Sequence, residues 1–266
     1  MVLGGGKVNG VIYYFSGTGN TKWAADKFKD KFKYNNINID LISIENTYEK
    51  NDNAYDFIIF GTPVHAEMAP KIFNDFINIL PSSDRNTNCL LYCTLGAKKA
   101  GALDVIRKTL ESKGYNILMQ DYIQMPNNYF FGFGKEPSEI RIKELTERAE
   151  KQIENLVDRF VQGKRSVKYV LPIRRGISKI IGGQFLRLLP KMSNNLTSTS
   201  DCNKCGMCLR NCPKGNITFE EGHAIFHSNC MMCVRCIHIC PINGIRYKGK
   251  RINQTQKTLI TTMIIR

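Results

Sequence analysis

The feature that most constrains this chain is a cysteine pattern that occurs twice between residues 202 and 241. The spacing C-x2-C-x2-C-x3-C-P appears as Cys202, Cys205, Cys208, Cys212 and Pro213, and again as Cys230, Cys233, Cys236, Cys240 and Pro241. Three thiolates spaced three residues apart can surround one face of an iron–sulfur cube, whereas the fourth, beyond a longer gap and followed by proline, points away. The duplicated pattern therefore predicts metal binding.

Zinc binding and disulfide formation are the alternative uses of these cysteines. Structural zinc prefers two C-x2–4-C pairs with a longer insert, and its tetrahedral site takes four ligands, so this spacing fits zinc poorly. Disulfides are disfavoured because no secretory segment precedes the pattern. His227 and His238 lie near the cysteines. Because cysteines already occupy all eight ligand positions, we expect both histidines outside the ligand set.

This region resembles the bacterial ferredoxins that carry two 4Fe-4S clusters, and the resemblance implies a small α+β ferredoxin-like domain. In that family the fourth cysteine of each run binds the cluster of the other run. The resemblance thus implies two metal sites. One would use Cys202, Cys205, Cys208 and Cys240, and the other Cys230, Cys233, Cys236 and Cys212.

A second motif lies near the N-terminus. The apolar run at residues 8–15 predicts a buried strand, and SGTGNT (Ser16 to Thr21) separates it from a helical pattern. Such a loop directs backbone N–H groups and a helix N-terminus towards a phosphate, while its glycines allow close approach. The loop matches neither Walker A nor G-x-G-x-x-G. Taken alone, it also fits a plain strand–helix connection.

The following segments alternate between strand and helix patterns. Further strands are predicted at 37–44, within 55–70, at 89–96 and at 115–124, and a long amphipathic helix at 138–162. This order predicts an α/β doubly wound parallel sheet, in which ligands bind outside the carboxyl ends of the strands. Loops 16–21, 62–68 and 94–99 should converge there. Cys89 and Cys93 fall in an apolar strand and are predicted to be buried.

Residues 8 to 160 resemble the flavodoxin family, whose phosphate loop T/S-x-T-G-x-T is matched by Ser16, Thr18, Gly19 and Thr21. The resemblance implies bound FMN. Its phosphate would contact Ser16, Gly17, Thr18, Gly19, Asn20 and Thr21, and its ring Thr62, Pro63, Val64, His65, Ala66, Thr94, Leu95, Gly96 and Ala97. Flavodoxins often stack aromatic side chains on the ring, but these two ring loops contain no Trp or Tyr. We therefore expect an outer ring face that is open to the aromatic loop 127–134 or to a cluster.

The predicted organisation along the chain has four parts. Residues 1–162 form a flavodoxin-like FMN-binding domain, 163–200 a basic connector, 201–248 a two-cluster 4Fe-4S ferredoxin domain, and 249–266 a basic C-terminal tail. The connector has no acidic residue between 159 and 200. As a helix it could lie on an anionic membrane surface or dock an acidic partner. The sequence favours a third interpretation, a basic helix packed across the two domains.

Charge and hydropathy limit the partners and the location. The formal charge of +15 falls to about +9 when two oxidised clusters and a flavin phosphate contribute about −2 each. Such a protein is expected to meet acidic redox proteins. Nucleic acid would match the charge, but the motifs indicate other chemistry, so no nucleic-acid partner is predicted. Without a leader or a membrane-spanning apolar run, a cytoplasmic location is expected.

Together the two motifs resemble the fused flavodoxin–ferredoxin proteins of anaerobic bacteria and archaea. The resemblance implies a relay of electrons between two 4Fe-4S clusters and FMN. The alternative is an FMN-dependent reductase of a small molecule, with His65 or Tyr129 as a candidate proton donor. A third interpretation treats the clusters as structural staples in a regulatory module. No second nucleotide-binding motif is present, so direct oxidation of NAD(P)H is not predicted.

Overall fold

A computed structural model describes residues 8–45 and 55–263 of the chain. It forms two compact units. The first contains the chain up to Ser16, Asn20–Pro126 and Ser138–Ile181, and the second contains Gly17–Gly19, Asn127–Pro137 and the chain from Gly182 onward. The predicted boundaries at 162, 200 and 248 divide the chain by composition and remain a prediction.

The first unit is built on a parallel six-stranded sheet with the order β2-β1-β3-β4-β5-β6. Its strands are β1 (Asn9–Tyr14), β2 (Asn38–Ser43), β3 (Phe57–Pro63), β4 (Asn88–Leu95), β5 (Asn116–Gln124) and β6 (Ser166–Val167). The predicted doubly wound sheet is confirmed. The chain winds in opposite directions on the two sides of β1, so β1 and β3 border the crevice where such sheets bind ligands. The edge strand β6 was not predicted, because two residues carry no periodic pattern.

Helices cover both faces of this sheet. They are α1 (Asn20–Tyr34), α2 (Lys71–Ile79), α3 (Ala102–Ser112) and α4 (Glu139–Val161). On one face Ile12 of β1 is buried with Phe28 of α1 and Phe160 of α4. On the other face Tyr13 packs on Phe76 of α2, with 5.2 Å between the ring centroids. Burial on both faces explains why the strands read as continuous apolar runs. The predicted burial of Cys89 and Cys93 is confirmed.

The second unit is small and mixed α+β, as predicted. Strands β7 (Leu196–Ser198), β10 (Ile245–Tyr247) and β11 (Lys250–Arg251) form an antiparallel sheet, and β8 (Ile217–Glu220) pairs with β9 (His223–Phe226). Its short helices are α6 (Met207–Arg210), α7 (Arg235–Ile239) and α8 (Lys257–Thr261). The segment predicted to be a tail thus contributes β11 and α8.

The basic connector contains one long helix, α5 (Pro172–Ser193). Ser178 and Leu189 lie on its buried side, and both fall on one face when the positions are projected at 3.6 residues per turn. Within the described ranges, no helix combines the length and the apolar character that crossing a membrane requires.

Candidate cofactor sites

The eight motif cysteines line two separate cavities in the second unit. One cavity, termed site A, is lined by Cys202, Cys205, Cys208 and Cys240. The other, termed site B, is lined by Cys212, Cys230, Cys233 and Cys236. Each site therefore receives three cysteines from one run and the last cysteine of the other run. This is the grouping that the sequence resemblance implied.

The repeated sequence is also a repeated backbone. Three pairs of equivalent positions have positive φ angles: 56° and 51° at Lys204 and Met232, 70° and 55° at Gly206 and Val234, and 56° and 50° at Gly215 and Asn243. The first two pairs bend the chain between successive ligands that face the same cavity, and the third pair lies just beyond the last cysteine of each run. A β-branched residue such as Val234 rarely adopts this conformation, which indicates that the surrounding packing imposes it.

Burial sets the protonation of the free thiols. It raises the pKa of Cys208 to about 11 and the pKa of Cys233 to about 12, although the Arg235 cation lowers the latter. Burial also raises the pKa of Cys236, and its site B neighbours raise it further. Iron binds thiolates, so inserting a cluster must displace protons that these thiols otherwise retain.

Backbone amides point at several of the sulfur atoms. The last cysteines of the two runs behave alike: Cys212 Sγ accepts from Asn216 N at 3.3 Å, and Cys240 Sγ accepts from Gly244 N at 3.1 Å. Met232 N donates to Cys230 Sγ at 3.3 Å. Such hydrogen bonds stabilise negative charge on sulfur and are one of the controls on a cluster's reduction potential.

The two histidines near the cysteines have other partners. His238 is buried, and its Nε2 lies 3.0 Å from the Asn128 carbonyl oxygen. His227 Nε2 lies 2.8 Å from Thr218 Oγ1. Within residues 8–45 and 55–263, no three His, Cys, Asp or Glu side chains are grouped to hold a single metal ion. The cysteines instead surround two cavities, and all-thiolate donor sets of four suit 4Fe-4S clusters.

The predicted phosphate loop leads from β1 into α1. Ser16 Oγ accepts from Lys22 N in the first turn of the helix at 3.2 Å, and Asn20 Nδ2 donates to the Pro126 carbonyl at 2.9 Å. The first turn of α1 contains no acidic residue. The positive dipole end of α1, with the neighbouring backbone N–H groups and hydroxyls, therefore suits a phosphate.

The centre of this loop, Gly17–Gly19, belongs to the second unit. There Thr18 Oγ1 accepts from Asn128 Nδ2 at 2.6 Å, and the Gly17 carbonyl accepts from Arg235 Nε at 3.1 Å. A Cβ on Gly17 would lie 2.9 Å from the carbonyl oxygen of Cys233, so this close approach requires glycine. The loop segment therefore lies directly against a site B cysteine.

The three predicted loops meet at one edge of the first unit's sheet. Thr21 Oγ1 lies 2.7 Å from Thr94 Oγ1, and Val64 N donates to the Thr94 carbonyl at 3.0 Å. Leu95 is buried, while Gly96 and Ala97 are exposed. Thr62 is buried at the end of β3, and Pro63 is the last residue of that strand. The predicted ring-facing positions thus lie on neighbouring loops.

A tight turn follows β3. His65 and Met68 exchange two backbone hydrogen bonds, of 2.8 and 3.1 Å. The two residues between them, Ala66 and Glu67, have φ angles of 44° and 73°, as in turns that usually contain Gly or Asn. The His65 side chain is partly exposed on this turn.

Helix α5 holds the same turn, a contact that the sequence did not reveal. Arg174 donates to the Glu67 carboxylate at 3.0 Å and to the Lys99 carbonyl at 2.9 Å. Ser178 Oγ also donates to Glu67, at 3.0 Å. The connector therefore ties together the loops that follow β3 and β4, and it restrains the conformation of the 65–68 turn.

The aromatic loop after β5 lies in the second unit. Tyr129 packs on Phe131, with 4.9 Å between the ring centroids, and both belong to the apolar core that includes Cys230 and Cys236. Burial and the adjacent Tyr247 raise the pKa of the Tyr129 hydroxyl, so it stays protonated. The loop thus covers the cysteine-rich core.

Comparison with known families assigns both parts of the chain. A flavodoxin domain model matches residues 11–121, and a 4Fe-4S dicluster domain model matches residues 195–241. The chain is a fused flavodoxin–ferredoxin protein. Its role is electron transfer, the activity that its flavodoxin and iron–sulfur domains share.

Solved flavodoxins resemble part of this fused protein. That of Megasphaera elsdenii is 21% identical, with a TM-score of 0.40, over 53% of this chain and 98% of its own. Flavodoxin 2 of Bacillus cereus is 17% identical, with a TM-score of 0.44, and the match covers 58% of this chain and 99% of that flavodoxin. The Fusobacterium nucleatum flavodoxin, bound to flavin mononucleotide, is 11% identical, with a TM-score of 0.42. The match covers 60% of this chain and 100% of that flavodoxin. No curated protein matches the fused protein. The assignment therefore relies on the two family models and the observed sheet order.

Proposed function

We propose that this protein relays electrons between two 4Fe-4S clusters and FMN in anaerobic metabolism. The observation that carries the proposal is the crossed grouping of the cysteines: two cavities with four thiols each occur in a chain that also contains a flavodoxin domain. A cluster carries one electron and a flavin one or two, so the fusion would convert between one-electron and two-electron transfer.

The proposed ligands follow from the two sites. Site A would hold one cluster and site B the other. FMN would take its phosphate on the loop Ser16 to Thr21 and its ring between the loops that begin at Thr62 and Thr94. The 2.9 Å approach of a Gly17 Cβ position to the Cys233 carbonyl supports close contact between site B and the Gly17–Gly19 segment of the phosphate loop.

Charge supports acidic redox proteins as the external partners. With two clusters and FMN bound, the net charge of +15 would remain near +9, because these groups contribute about −6 in total. A reducing cytoplasmic compartment is proposed, since there free thiols remain available for iron. In this setting the basic surface would steer an acidic carrier towards the protein.

A second candidate function is FMN-dependent reduction of a small molecule. The observation that favours it is the lack of Trp and Tyr in both ring loops, together with the exposure of Gly96 and Ala97. An uncovered ring face would admit a substrate. The partly exposed His65 or the protonated Tyr129 would then be a candidate proton donor.

Anaerobic purification with iron, acid-labile sulfide and flavin analysis on one sample tests the relay. The proposal predicts about eight Fe, eight sulfide and one FMN per chain, all reducible by dithionite. Iron and sulfide at that level without flavin, even after FMN is added, would overturn the flavin half. Turnover of small oxidants at the FMN of the purified protein, without a protein partner, would favour the reductase.

A further inference from the structure

The segment Gly17–Gly19, which we call the loop centre, is held by the cysteine-rich unit to which it belongs. The Gly17 carbonyl accepts from Arg235 Nε at 3.1 Å. Gly19 has a φ of 104°, and a Cβ there would lie 2.9 Å from the carbonyl oxygen of Leu259 in α8. Both ends of the loop centre therefore contact elements that follow or contain the cysteine runs.

Asn128 holds the middle residue of the loop centre, Thr18. Asn128 is buried, and its Nδ2 donates to Thr18 Oγ1 at 2.6 Å. Its Oδ1 accepts from Thr255 Oγ1 at 3.0 Å, and its carbonyl oxygen lies 3.0 Å from His238 Nε2 in α7. A hydroxyl can accept one hydrogen bond and donate another. Asn128 thus fixes the oxygen of Thr18 and leaves its O–H for a phosphate.

Arg235 connects the loop centre with the ligands of site B. It lies between Cys233 and Cys236 in the second cysteine run and is 3% exposed. Its Nη1 donates to the Asn211 carbonyl at 2.9 Å, next to Cys212, whose thiol lines site B. Because a buried guanidinium needs hydrogen-bond partners, its position depends on both chain segments that supply site B and on the loop centre.

We propose that filling site B strengthens binding of the FMN phosphate, and that Arg235 and Asn128 carry this coupling. The inference rests on the proposed function, because it requires both cofactors to bind. A cluster at site B fixes the second cysteine run and with it Arg235 and His238, which hold the loop centre directly and through Asn128. Without that cluster, ordering the loop centre costs conformational entropy that FMN binding must offset. Coupling of this kind is reciprocal, so FMN also stabilises the cluster of site B.

Emptying one site at a time tests the coupling. Cys212→Ala with Cys230→Ala removes two ligands of site B, and Cys202→Ala with Cys205→Ala removes two ligands of site A as the matched control. The dissociation constant of FMN is measured from the flavin fluorescence that appears when each anaerobic full-length protein is diluted. We expect it to rise about tenfold in the site B variant and by less than about twofold in the site A variant. Excess FMN should still fill both variants.

A second variant leaves both clusters in place. Asn128→Ala removes the hydrogen bond to Thr18 and should keep about eight Fe per chain. It should weaken FMN binding about tenfold, because the Thr18 hydroxyl loses the donor that positions it for a charged ligand. Asn216→Ala is the control, since Asn216 is 2% exposed where Asn128 is 7%, and its Nδ2 donates to Ser193 Oγ at 3.3 Å. This control should bind FMN like the parent.

Displacement by riboflavin separates the phosphate from the ring. Riboflavin has the same ring without the phosphate, so the concentration that displaces half of the bound FMN compares the two ligands on the holoprotein. Asn128→Ala should lower that concentration about tenfold, since it weakens the binding of FMN alone. A general loss of structure would weaken both ligands and leave the concentration unchanged, which would overturn the role of Asn128.

The outcomes distinguish this inference from the proposed function. A parent protein with about eight Fe that binds no FMN would overturn both. Equal dissociation constants in the site A and site B variants, in a parent that binds FMN, would overturn the coupling and leave the relay intact.

Discussion

Sites A and B share one cysteine pattern but lie in different surroundings. Around site A several residues between the cysteines of the first run are exposed, among them Asn203, Lys204 and Arg210. Around site B the equivalent residues are buried: Met231 is 8%, Met232 4% and His238 3% exposed, and Arg235 is also buried. The same spacing of ligands therefore leaves site A near water and encloses site B in an apolar core with a buried cation. We expect the two clusters to differ in lability and potential.

The largest expected effect tests whether the two runs exchange their last cysteines. The double variant Cys202→Ala with Cys240→Ala removes two ligands of site A, so about four Fe should remain per chain. Cys202→Ala with Cys212→Ala removes one ligand from each site and should leave little or no iron after chelation. Iron analysis on anaerobic samples gives both values. If each run held its own cluster, the two results would be interchanged.

Iron release should separate the sites in time. Under a chelator, or on exposure to air, the water-accessible site A should lose iron about tenfold faster than the enclosed site B, because local opening is cheaper where few apolar contacts must break. The expected trace has two phases of equal size. The variant Cys202→Ala with Cys240→Ala should lack the fast phase. If that variant lost the slow phase instead, the assigned order of exposure would be wrong.

The buried cation should set the potentials apart. Arg235 lies beside Cys233, whose pKa it lowers, and donates to the Gly17 and Asn211 carbonyls. Arg235→Gln should lower the potential of the site B cluster by roughly 50–100 mV, since reduction adds negative charge that the guanidinium stabilises in a poorly screened core.

Arg210 provides the matched control for this prediction. It is exposed and donates to the Cys205 carbonyl at 2.9 Å, so water screens its charge and Arg210→Gln should shift the site A potential much less. A redox titration followed by electron paramagnetic resonance measures both. Equal shifts in the two variants would remove the electrostatic distinction between the sites.

The smallest expected effect concerns the equivalent left-handed positions Gly206 and Val234. Gly206→Val places a β-branched residue at a φ of 70° and should destabilise the fold by about 1–2 kcal/mol. Val234→Gly relieves similar strain but removes a buried side chain from the core, so the two effects should nearly cancel, within about 1 kcal/mol. Anaerobic thermal unfolding compares them. A larger loss of stability in Val234→Gly than in Gly206→Val would contradict this account of the backbone.

The sequence predicted features that depend on local spacing. The cysteine runs, the phosphate loop after β1 and the alternation of strands and helices are all readable within short windows. The crossed pairing came from a family resemblance, since no local signal joins Cys240 to the first run. Hydrogen bonds between residues far apart in the sequence could not be predicted: Arg174 and Glu67 are 107 positions apart, and Arg235 and Gly17 are 218 apart. Single charged residues that pair after folding leave no periodic pattern, so the hydrogen bonds from α5 to the 65–68 turn could not be predicted.

The relay itself is tested most directly by rapid mixing of the anaerobic holoprotein with a limiting amount of dithionite, while the flavin and cluster absorption bands are followed. The variant Cys202→Ala with Cys212→Ala, which should lack both clusters, measures direct reduction of FMN. We predict that the clusters of the parent are reduced first and FMN follows with a rate independent of protein concentration, much faster than in the variant. FMN reduction that is equally fast in both proteins, or a rate that rises in proportion to protein concentration, would contradict an intramolecular relay.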